Sequence, residues 1–230
     1  MLENLVDPGV LTIALIALAI TGLSVYVSRS YLPKKVKVAY LKSITTLSAV
    51  VETKDSGTVG HAQRVARLAV EIAKRLGVEG KDLEQVEYAA LIMDMGKANV
   101  PQGILIKKEP LTSAEWDTVK SHSRLGAEMA AAVPFLADIS SFVLHHHECW
   151  DGSGYPDGLT GEQIPLASRI LGVAADYDAM ASERPYHAEV LSQTEAMEEI
   201  RKGCGTKYDP VVGEAFLKML LSGFGVEEAA

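Results

Sequence analysis

Half of the six histidines in this 230-residue chain lie side by side, directly before a glycine-rich turn. His145, His146 and His147 precede the Gly-Ser-Gly-Tyr-Pro stretch of residues 152–156. Each ring nitrogen of a buried imidazole needs a hydrogen-bond partner or a metal ion, so adjacent histidines are unusual in a plain core. The run therefore predicts a metal site, with Tyr155 beside it as a contact for a bound substrate.

Other ligand-type and cationic side chains fall at helix ends or on otherwise apolar faces of predicted helices. Imidazole and carboxylate together suit divalent iron, manganese or zinc. Two such ions bridged by one carboxylate, roughly 4 Å apart, are a common device for phosphoester hydrolysis. Asp94 and Lys97 are three residues apart and so share one helix face. The candidate set comprises His61, Asp94, Lys97, His122, His146, His147, Asp178 and Arg184.

An all-α fold is predicted to position these residues, because no stretch alternates with period two and apolar residues recur at helical spacing. Thr112 and Glu115 form a capping-box pattern at the start of one helix, and Thr58 is a candidate cap for another. Residues 96–110 and 151–165 are predicted loops. The predicted helices cover residues 36–53, 58–76, 81–93, 112–131, 134–147, 165–180, 192–202 and 211–221.

The composition excludes some classes of function. The net charge is −8 and no Lys/Arg-rich tract lies in the body of the chain, so nucleic-acid binding is not expected. Cys149 and Cys204, the only cysteines, form neither a disulfide framework nor a Cys-x-x-Cys zinc pattern. A reducing compartment therefore fits best.

The N-terminal segment from Gly9 to Val27 carries no charge and is long enough to span a bilayer. Pro33 is predicted to end this helix. Basic residues follow the segment and acidic residues precede it, which places the N-terminus outside and the remainder in the cytoplasm of a single-pass inner-membrane protein. A cleaved signal peptide is disfavoured by the acidic residues in front, and a buried soluble helix by the lack of a polar face.

Read in order, the motifs resemble the HD-GYP family, a bacterial branch of the HD metal-dependent phosphohydrolases. The resemblance covers residues from about 45 to 222 and predicts an anchor at 1–28, a basic linker at 29–43 and an HD-type helical domain at 44–225. The matching runs are Gly60 to Ala66, Asp94 to Lys97, His122, His146 to Leu159, Ile164 to Pro165, Arg169 to Leu171, Asp178 to Ala179, Arg184 to Tyr186 and Gly205 to Pro210.

The resemblance implies a two- or three-metal centre that hydrolyses cyclic di-GMP with a metal-bound hydroxide. It assigns eight residues of this chain to that chemistry. His61 would bind the first ion, and Asp94 would bridge the two ions. The second ion would also be bound by His122, His146 and His147. Lys97, Tyr155 and Arg184 would contact the nucleotide.

This sequence departs from the family pattern at the first ion. Met93 stands at the family's histidine position, and a thioether is a poor ligand for hydrolytic iron or manganese. Ala175 stands where the family has a ligand aspartate, and Asp176 is about 100° further around a helix. Gly57 replaces the glutamate found in three-metal members. The second ion keeps four ligands, so a single-ion site is predicted.

We therefore predict a membrane-anchored, degenerate HD-GYP protein with weak or no catalysis, acting as a receptor, scaffold or complex subunit. It could still bind one iron or manganese ion, or cyclic di-GMP, and its other expected partners are the membrane and membrane or signalling proteins. Two alternatives stay open: an active cyclic di-GMP phosphodiesterase with an altered centre, and a purely structural subunit whose histidines are relics. Missing ligands favour the first and third readings, whereas Lys97, Tyr155 and Arg184 favour the first and second.

Overall fold

The computed structural model describes residues 8–54, 59–182 and 190–224, and over these ranges it is helical with no β-strand. The prediction of an all-α fold is confirmed. Short π or 3-10 turns cover Val27–Tyr31, Met95–Asn99, Ala137–Ile139 and Gly161–Gln163. The ten α-helices of the described ranges are α1 Pro8–Tyr26, α2 Leu32–Lys54, α3 His61–Arg75, α4 Gly80–Ile92, α5 Gln102–Leu105, α6 Ser113–Ala131, α7 Ser140–Leu144, α8 Leu166–Ala181, α9 Gln193–Gly203 and α10 Pro210–Leu221.

The chain divides into two compact units, one up to Ser43 and one from Ile44 onward. In the first unit, α1 is long and apolar enough to cross a membrane by length and composition, and none of its residues is buried. The prediction that Pro33 ends this helix is wrong. A π turn intervenes, in which the Leu32 N–H bonds to the Val27 carbonyl. Pro33 then lies in the first turn of α2, where a residue without an N–H is tolerated.

The core of the second unit is built on the apolar faces of α3, α4, α8 and α10. On α3, Val65, Ala69 and Ile72 recur at three- and four-residue spacing and are fully buried. On α8, Ile170 and Ala174 repeat this spacing and are also fully buried. Small and branched side chains let these helices approach closely, which fixes where the ends of α3 and α4 lie.

The ends of several helices decide where the site residues lie. The capping box at α6 is confirmed: the Glu115 N–H bonds to Thr112 Oγ1 at 3.3 Å, and the Thr112 N–H bonds to Glu115 Oε2 at 2.7 Å. Helix α3 begins directly after Gly60, at a φ of +89°. The candidate cap Thr58 lies outside the described residues.

The prediction of one continuous helix over residues 134–147 is wrong. A 3-10 turn at Ala137–Ile139 leads into the short helix α7, which ends at Leu144. His146 and His147 therefore lie in the turn that follows α7. Because they lie in a turn, these two adjacent side chains can face one site. Successive residues of an α-helix could not, since they point about 100° apart.

Gly96 lets the turn after α4 lie directly against α6. A Cβ atom at this position would lie 1.9 Å from the His122 carbonyl oxygen and 2.7 Å from the Gly126 nitrogen. Both are backbone atoms of α6 and cannot move aside as a side chain can. The absence of a side chain at Gly96 therefore fixes the separation between Asp94 and His122.

Candidate metal centre

Four ligand-type side chains from three segments converge on one point of the second unit. Asp94 follows α4, His122 lies within α6, and His146 and His147 follow α7. One ligand atom from each of the four lies within 4.8 Å of every other. The spread is that of a single coordination sphere.

Backbone carbonyls orient two of the histidines. His122 Nδ1 lies 2.7 Å from the Val119 oxygen, and His146 Nδ1 lies 2.6 Å from the Val143 oxygen. A carbonyl only accepts, so both Nδ1 atoms carry the proton. The two Nε2 atoms then turn their lone pairs inward, 3.4 Å apart. Metal-binding histidines are commonly oriented by such carbonyl contacts.

The electrostatics of the cluster favour a bound cation. Burial, together with the neighbouring His122, lowers the pKa of His146 to about 4, and burial likewise holds the pKa of His147 well below its usual range. Burial acts to raise the pKa of Asp94, but Lys97 and the surrounding histidines hold it well below its ordinary value. At neutral pH the neutral imidazoles of His146 and His147 and the carboxylate of Asp94 thus meet His122 in one cluster, and a divalent ion fits this donor set.

The two oxygens of Asp94 face different groups. Oδ1 lies 3.5 Å from His122 Nε2. Oδ2 lies 3.6 Å from His61 Nε2 and 3.1 Å from Lys97 Nζ. We call the group of His122, His146 and His147 the three-histidine side, and the group of His61 and Lys97 the His61 side.

Asp178 orients His61. Its Oδ2 lies 2.6 Å from His61 Nδ1, so the Nε2 atom of that ring faces Asp94. Arg64 donates to both oxygens of the same carboxylate, at 2.6 Å and 3.0 Å. Burial acts to raise the pKa of Asp178, but the bonds from His61 and Arg64 lower it. Asp178 therefore stays charged and supports His61 through its ring.

Two of the three departures from the family pattern, Met93 and Ala175, lie close to this site in the structure, and the third, Gly57, lies outside the described residues. Met93 is 1% exposed, and it directly precedes Asp94. Ala175 lines a cavity of about 60 Å³ that His146 and His147 also line. Asp176 does not compensate, because it accepts from Tyr208 Oη at 2.9 Å and pairs with Lys207 Nζ at 2.8 Å.

The Gly-Ser-Gly turn folds back onto the histidine segment. A Cβ at Gly154 would lie 2.3 Å from the Cys149 nitrogen, so only glycine fits this close approach. The Tyr155 ring stacks on His147, with centroids 4.7 Å apart and an interplanar angle of 25°. His145 lies outside the cluster, where it contacts the Ser141 carbonyl and Asp157.

The structure thus brings together seven of the eight site residues predicted from the sequence: His61, Asp94, Lys97, His122, His146, His147 and Tyr155. The eighth, Arg184, lies outside the described residues. Sequence reasoning missed Arg64 and Lys120, whose Nζ lies 5.6 Å from the centroid of the Tyr155 ring. Arg64 could have been found from its spacing, because a cation three residues after His61 shares its helix face.

The HD domain family matches residues 45–212 of this chain. The chain is 36% identical over 179 residues to the cyclic di-GMP phosphodiesterase response regulator RpfG of Xanthomonas campestris pv. campestris, covering 77% of this chain and 47% of that protein. It is 38% identical over 175 residues to a cyclic di-GMP phosphodiesterase of Thermotoga maritima, covering 75% and 47%. The chain thus spans about half the length of these curated relatives.

A solved structure agrees on the fold. The structure of a cyclic GMP-AMP specific phosphodiesterase from V. cholerae superposes with a TM-score of 0.62 at 19% identity, over 78% of this chain and 48% of that one. At this identity the likeness concerns the fold alone. Taken with the family match and the ordered motifs around Asp94 and Tyr155, it leads to one conclusion: this chain belongs to the HD-domain family, in its HD-GYP branch.

Proposed function

We propose that this protein is a membrane-anchored cyclic-dinucleotide receptor of the HD-GYP branch, with a one-ion centre and weak or no hydrolysis. It would act as a receptor, scaffold or complex subunit rather than as an efficient phosphodiesterase. The proposal combines the family membership of the chain with the unequal composition of the two sides of Asp94.

One observation carries the proposal. On the three-histidine side, Asp94 Oδ1 faces a set of imidazoles whose ligand atoms lie within 4.8 Å of one another. On the His61 side, Oδ2 is already met by the Lys97 ammonium at 3.1 Å, and the neighbouring Met93 supplies no hard ligand. A cation is thus available to each oxygen if only one metal ion binds.

The residues suit a single iron or manganese ion held by Asp94, His122, His146 and His147. When bound, such an ion supplies Lewis-acid polarisation of a phosphoryl oxygen. Without a second ion, the charge stabilisation given by a bridged pair is missing, which costs several kcal/mol of barrier lowering. The same single ion still serves as an anchor for a phosphate.

The chain's own residues would bind and orient the nucleotide. Lys97 presents an ammonium beside Asp94, and Tyr155 presents a ring stacked on His147. Burial raises the pKa of Tyr155, so its hydroxyl stays protonated and can donate to a phosphate or base oxygen. We also assign Arg184 to this contact, from its place in the family motif.

The uncharged helix α1 supports anchoring in the inner membrane, with the C-terminal domain in the cytoplasm. Basic residues after the helix favour this orientation, and other membrane or signalling proteins are the expected partners. Fractionation and protease protection of intact cells and spheroplasts test this part, because a domain cleaved from outside would contradict the orientation.

The central experiment measures metal content, cyclic di-GMP binding and hydrolysis on detergent-purified full-length protein. We expect about one ion per chain, nucleotide binding, and hydrolysis near background. His146→Ala should remove both the ion and the nucleotide binding that depends on it. If neither metal nor nucleotide binds to the wild type, the purely structural reading holds instead.

An active phosphodiesterase is the second candidate function. It is favoured by the relatives in Xanthomonas and Thermotoga, whose names record cyclic di-GMP phosphodiesterase activity, and by the retention of Lys97 and Tyr155. Robust turnover by the wild type that disappears in His146→Ala would replace our proposal with this one.

A further inference from the structure

The last turn of α2 contacts both segments that form the His61 side of the centre. Glu52 lies in this turn and is only 5% exposed. Its Oε2 accepts from the Gly60 N–H at 2.8 Å, and its Oε1 accepts from the Ala62 N–H at 2.6 Å. These two N–H groups flank His61, so one buried carboxylate bonds to the backbone on either side of this residue.

Glu52 takes the place of a missing helix cap. The residue before α3 is Gly60, which has no side chain to satisfy the free N–H groups of the first turn. A carboxylate at a helix N-terminus is favoured by the helix dipole and forms charge-assisted bonds. Because Glu52 belongs to another helix, the cap also fixes the position of α3 relative to the last turn of α2, which lies in the second unit.

Lys54 makes a parallel contact with the other segment. Its Nζ donates to the Ala98 carbonyl at 2.6 Å. Ala98 follows Lys97 within the 3-10 turn Met95–Asn99, directly after Asp94. The last turn of α2 therefore contacts the backbone beside His61 through one side chain and the backbone beside Lys97 through another.

We propose that Glu52 and Lys54 are positioning residues for the metal centre, which set the separation of His61 from Asp94. A displacement of the last turn of α2 would therefore change the affinity of the centre for its metal ion. A helix rises about 1.5 Å per residue, so a shift of α2 by one residue would break both 2.6 Å contacts. This inference rests on the proposed function only in taking Asp94 as a ligand of the ion.

The test uses full-length protein in detergent and three variants of this turn: Glu52→Ala, Glu52→Gln and Lys54→Met. Thr53→Ala is the matched control, because Thr53 lies between the two residues and its hydroxyl donates to the Val50 carbonyl within its own helix. Two quantities are measured: hydrogen exchange of the Gly60 and Ala62 amides, and the dissociation constant of Co²⁺ followed by its visible spectrum.

We expect Glu52→Ala to speed exchange of the two amides at least tenfold and to weaken Co²⁺ binding about threefold, below the tenfold lower bound for loss of a directly bonded supporting residue, because Glu52 acts on the ion only through the position of His61 and Asp94. Glu52→Gln keeps one acceptor oxygen and should fall between this variant and the wild type. Lys54→Met should weaken Co²⁺ binding while leaving both amides protected. Thr53→Ala should match the wild type in both measurements.

A purely structural role would give a different result. Ile200→Val removes one methyl group from a fully buried side chain on α9 and supplies a comparison for destabilisation. If Ile200→Val weakens Co²⁺ binding as much as Glu52→Ala does, or if Glu52→Ala leaves Co²⁺ binding unchanged, the inference is overturned. If wild-type protein binds no Co²⁺, the proposed function fails, whereas unchanged amide exchange in Glu52→Ala would overturn the inference by itself.

Discussion

The two sides of Asp94 are built in different ways. On the three-histidine side, His122 and His146 are each held by a carbonyl three residues earlier in the chain. On the His61 side, His61 is held by Asp178, which is 117 residues away. Each ring of the first pair is oriented within its own segment, whereas the ring of His61 needs α3 and α8 packed in register. The orientation of the three-histidine side therefore does not depend on the contacts that hold His61.

The same contrast appears in charge. The three-histidine side presents His146 and His147 as neutral imidazoles that can bind a cation, since burial lowers the pKa of both, that of His146 to about 4. The His61 side contains its own cations, Lys97 beside Asp94 and Arg64 on Asp178. Removal of a metal ion should therefore change the electrostatic balance mainly on the three-histidine side.

The largest expected effect is a difference in metal affinity between two histidine variants. Loss of a supporting residue typically weakens binding 10- to 100-fold, so loss of a direct ligand in His146→Ala should exceed about 100-fold. His61→Ala should cost less than about tenfold. Titration with Mn²⁺ or Co²⁺ measures both. Equal losses would mean that the two sides act as one site.

Replacing Met93 and Ala175 with the family's ligand residues should give the His61 side the ligands for a second ion. We expect Met93→His combined with Ala175→Asp to raise the metal content from about one to two ions per chain. Hydrolysis of cyclic di-GMP should rise at least about tenfold, because a second ion contributes several kcal/mol of charge stabilisation. Metal analysis and a hydrolysis assay check this outcome.

The two single variants are the controls for that experiment. Each restores one ligand only and should keep a content near one ion. A double variant that folds with two ions but shows no hydrolysis would locate the defect elsewhere in the pocket.

Acid should destabilise the metal-free protein through the three-histidine side. The pKa of His146 is lowered in the folded state, so the unfolded state binds more protons and stability falls as pH drops below the ordinary histidine pKa of about 6.5 toward about 4. We expect His146 alone to lower the free energy of unfolding by roughly 2 kcal/mol between pH 7 and pH 5, with a further fall from His147, whose pKa is also lowered. Urea titrations in the presence of a chelator measure this.

His146→Ala supplies the control for the acid effect. Its loss of stability over the same pH interval should be smaller than that of the wild type by most of that amount. An unchanged loss would show that other groups cause the pH dependence.

The smallest effect concerns a cap that serves neither side. Thr112→Ala removes the side-chain acceptor of the Glu115 N–H at the start of α6. Loss of such a cap costs about 1 kcal/mol of stability. Because His122 lies more than two turns further along α6, metal affinity should stay within about twofold of the wild type. A larger loss of affinity would mean that His122 depends on more than its local carbonyl.

Much of the fold could be predicted, because helical periodicity and capping patterns are local signals. The capping-box pattern of Thr112 and Glu115 predicted the start of α6 correctly. The prediction that Pro33 ends a helix failed, because a π turn precedes it and the helix continues. The 3-10 turn that precedes α7 was not predicted either, since apolar residues continue through this segment. That miss matters, because the early end of α7 leaves His146 and His147 in a turn.

The site was predictable where motif residues carry it and unpredictable where tertiary contacts do. His122 and His146 could be identified from residue type and order. The bond from Glu52 to the backbone around His61 could not, because it joins two helices through an acidic residue with no motif of its own. The local sign of this contact was the spacing of Glu52, which lies four residues after Ser48 and so shares its buried face of α2.

Gly96 carries a consequence for variant libraries. Any side chain there would collide with the backbone of α6, at 1.9 Å from the His122 carbonyl oxygen. A mutational scan that scores only protein abundance would therefore report this position as intolerant, whether or not the protein turns over a nucleotide. A lineage that abandoned catalysis would be under the same steric requirement. Retention of this glycine between Asp94 and Lys97 thus records how the helices pack and carries no information about enzymatic activity.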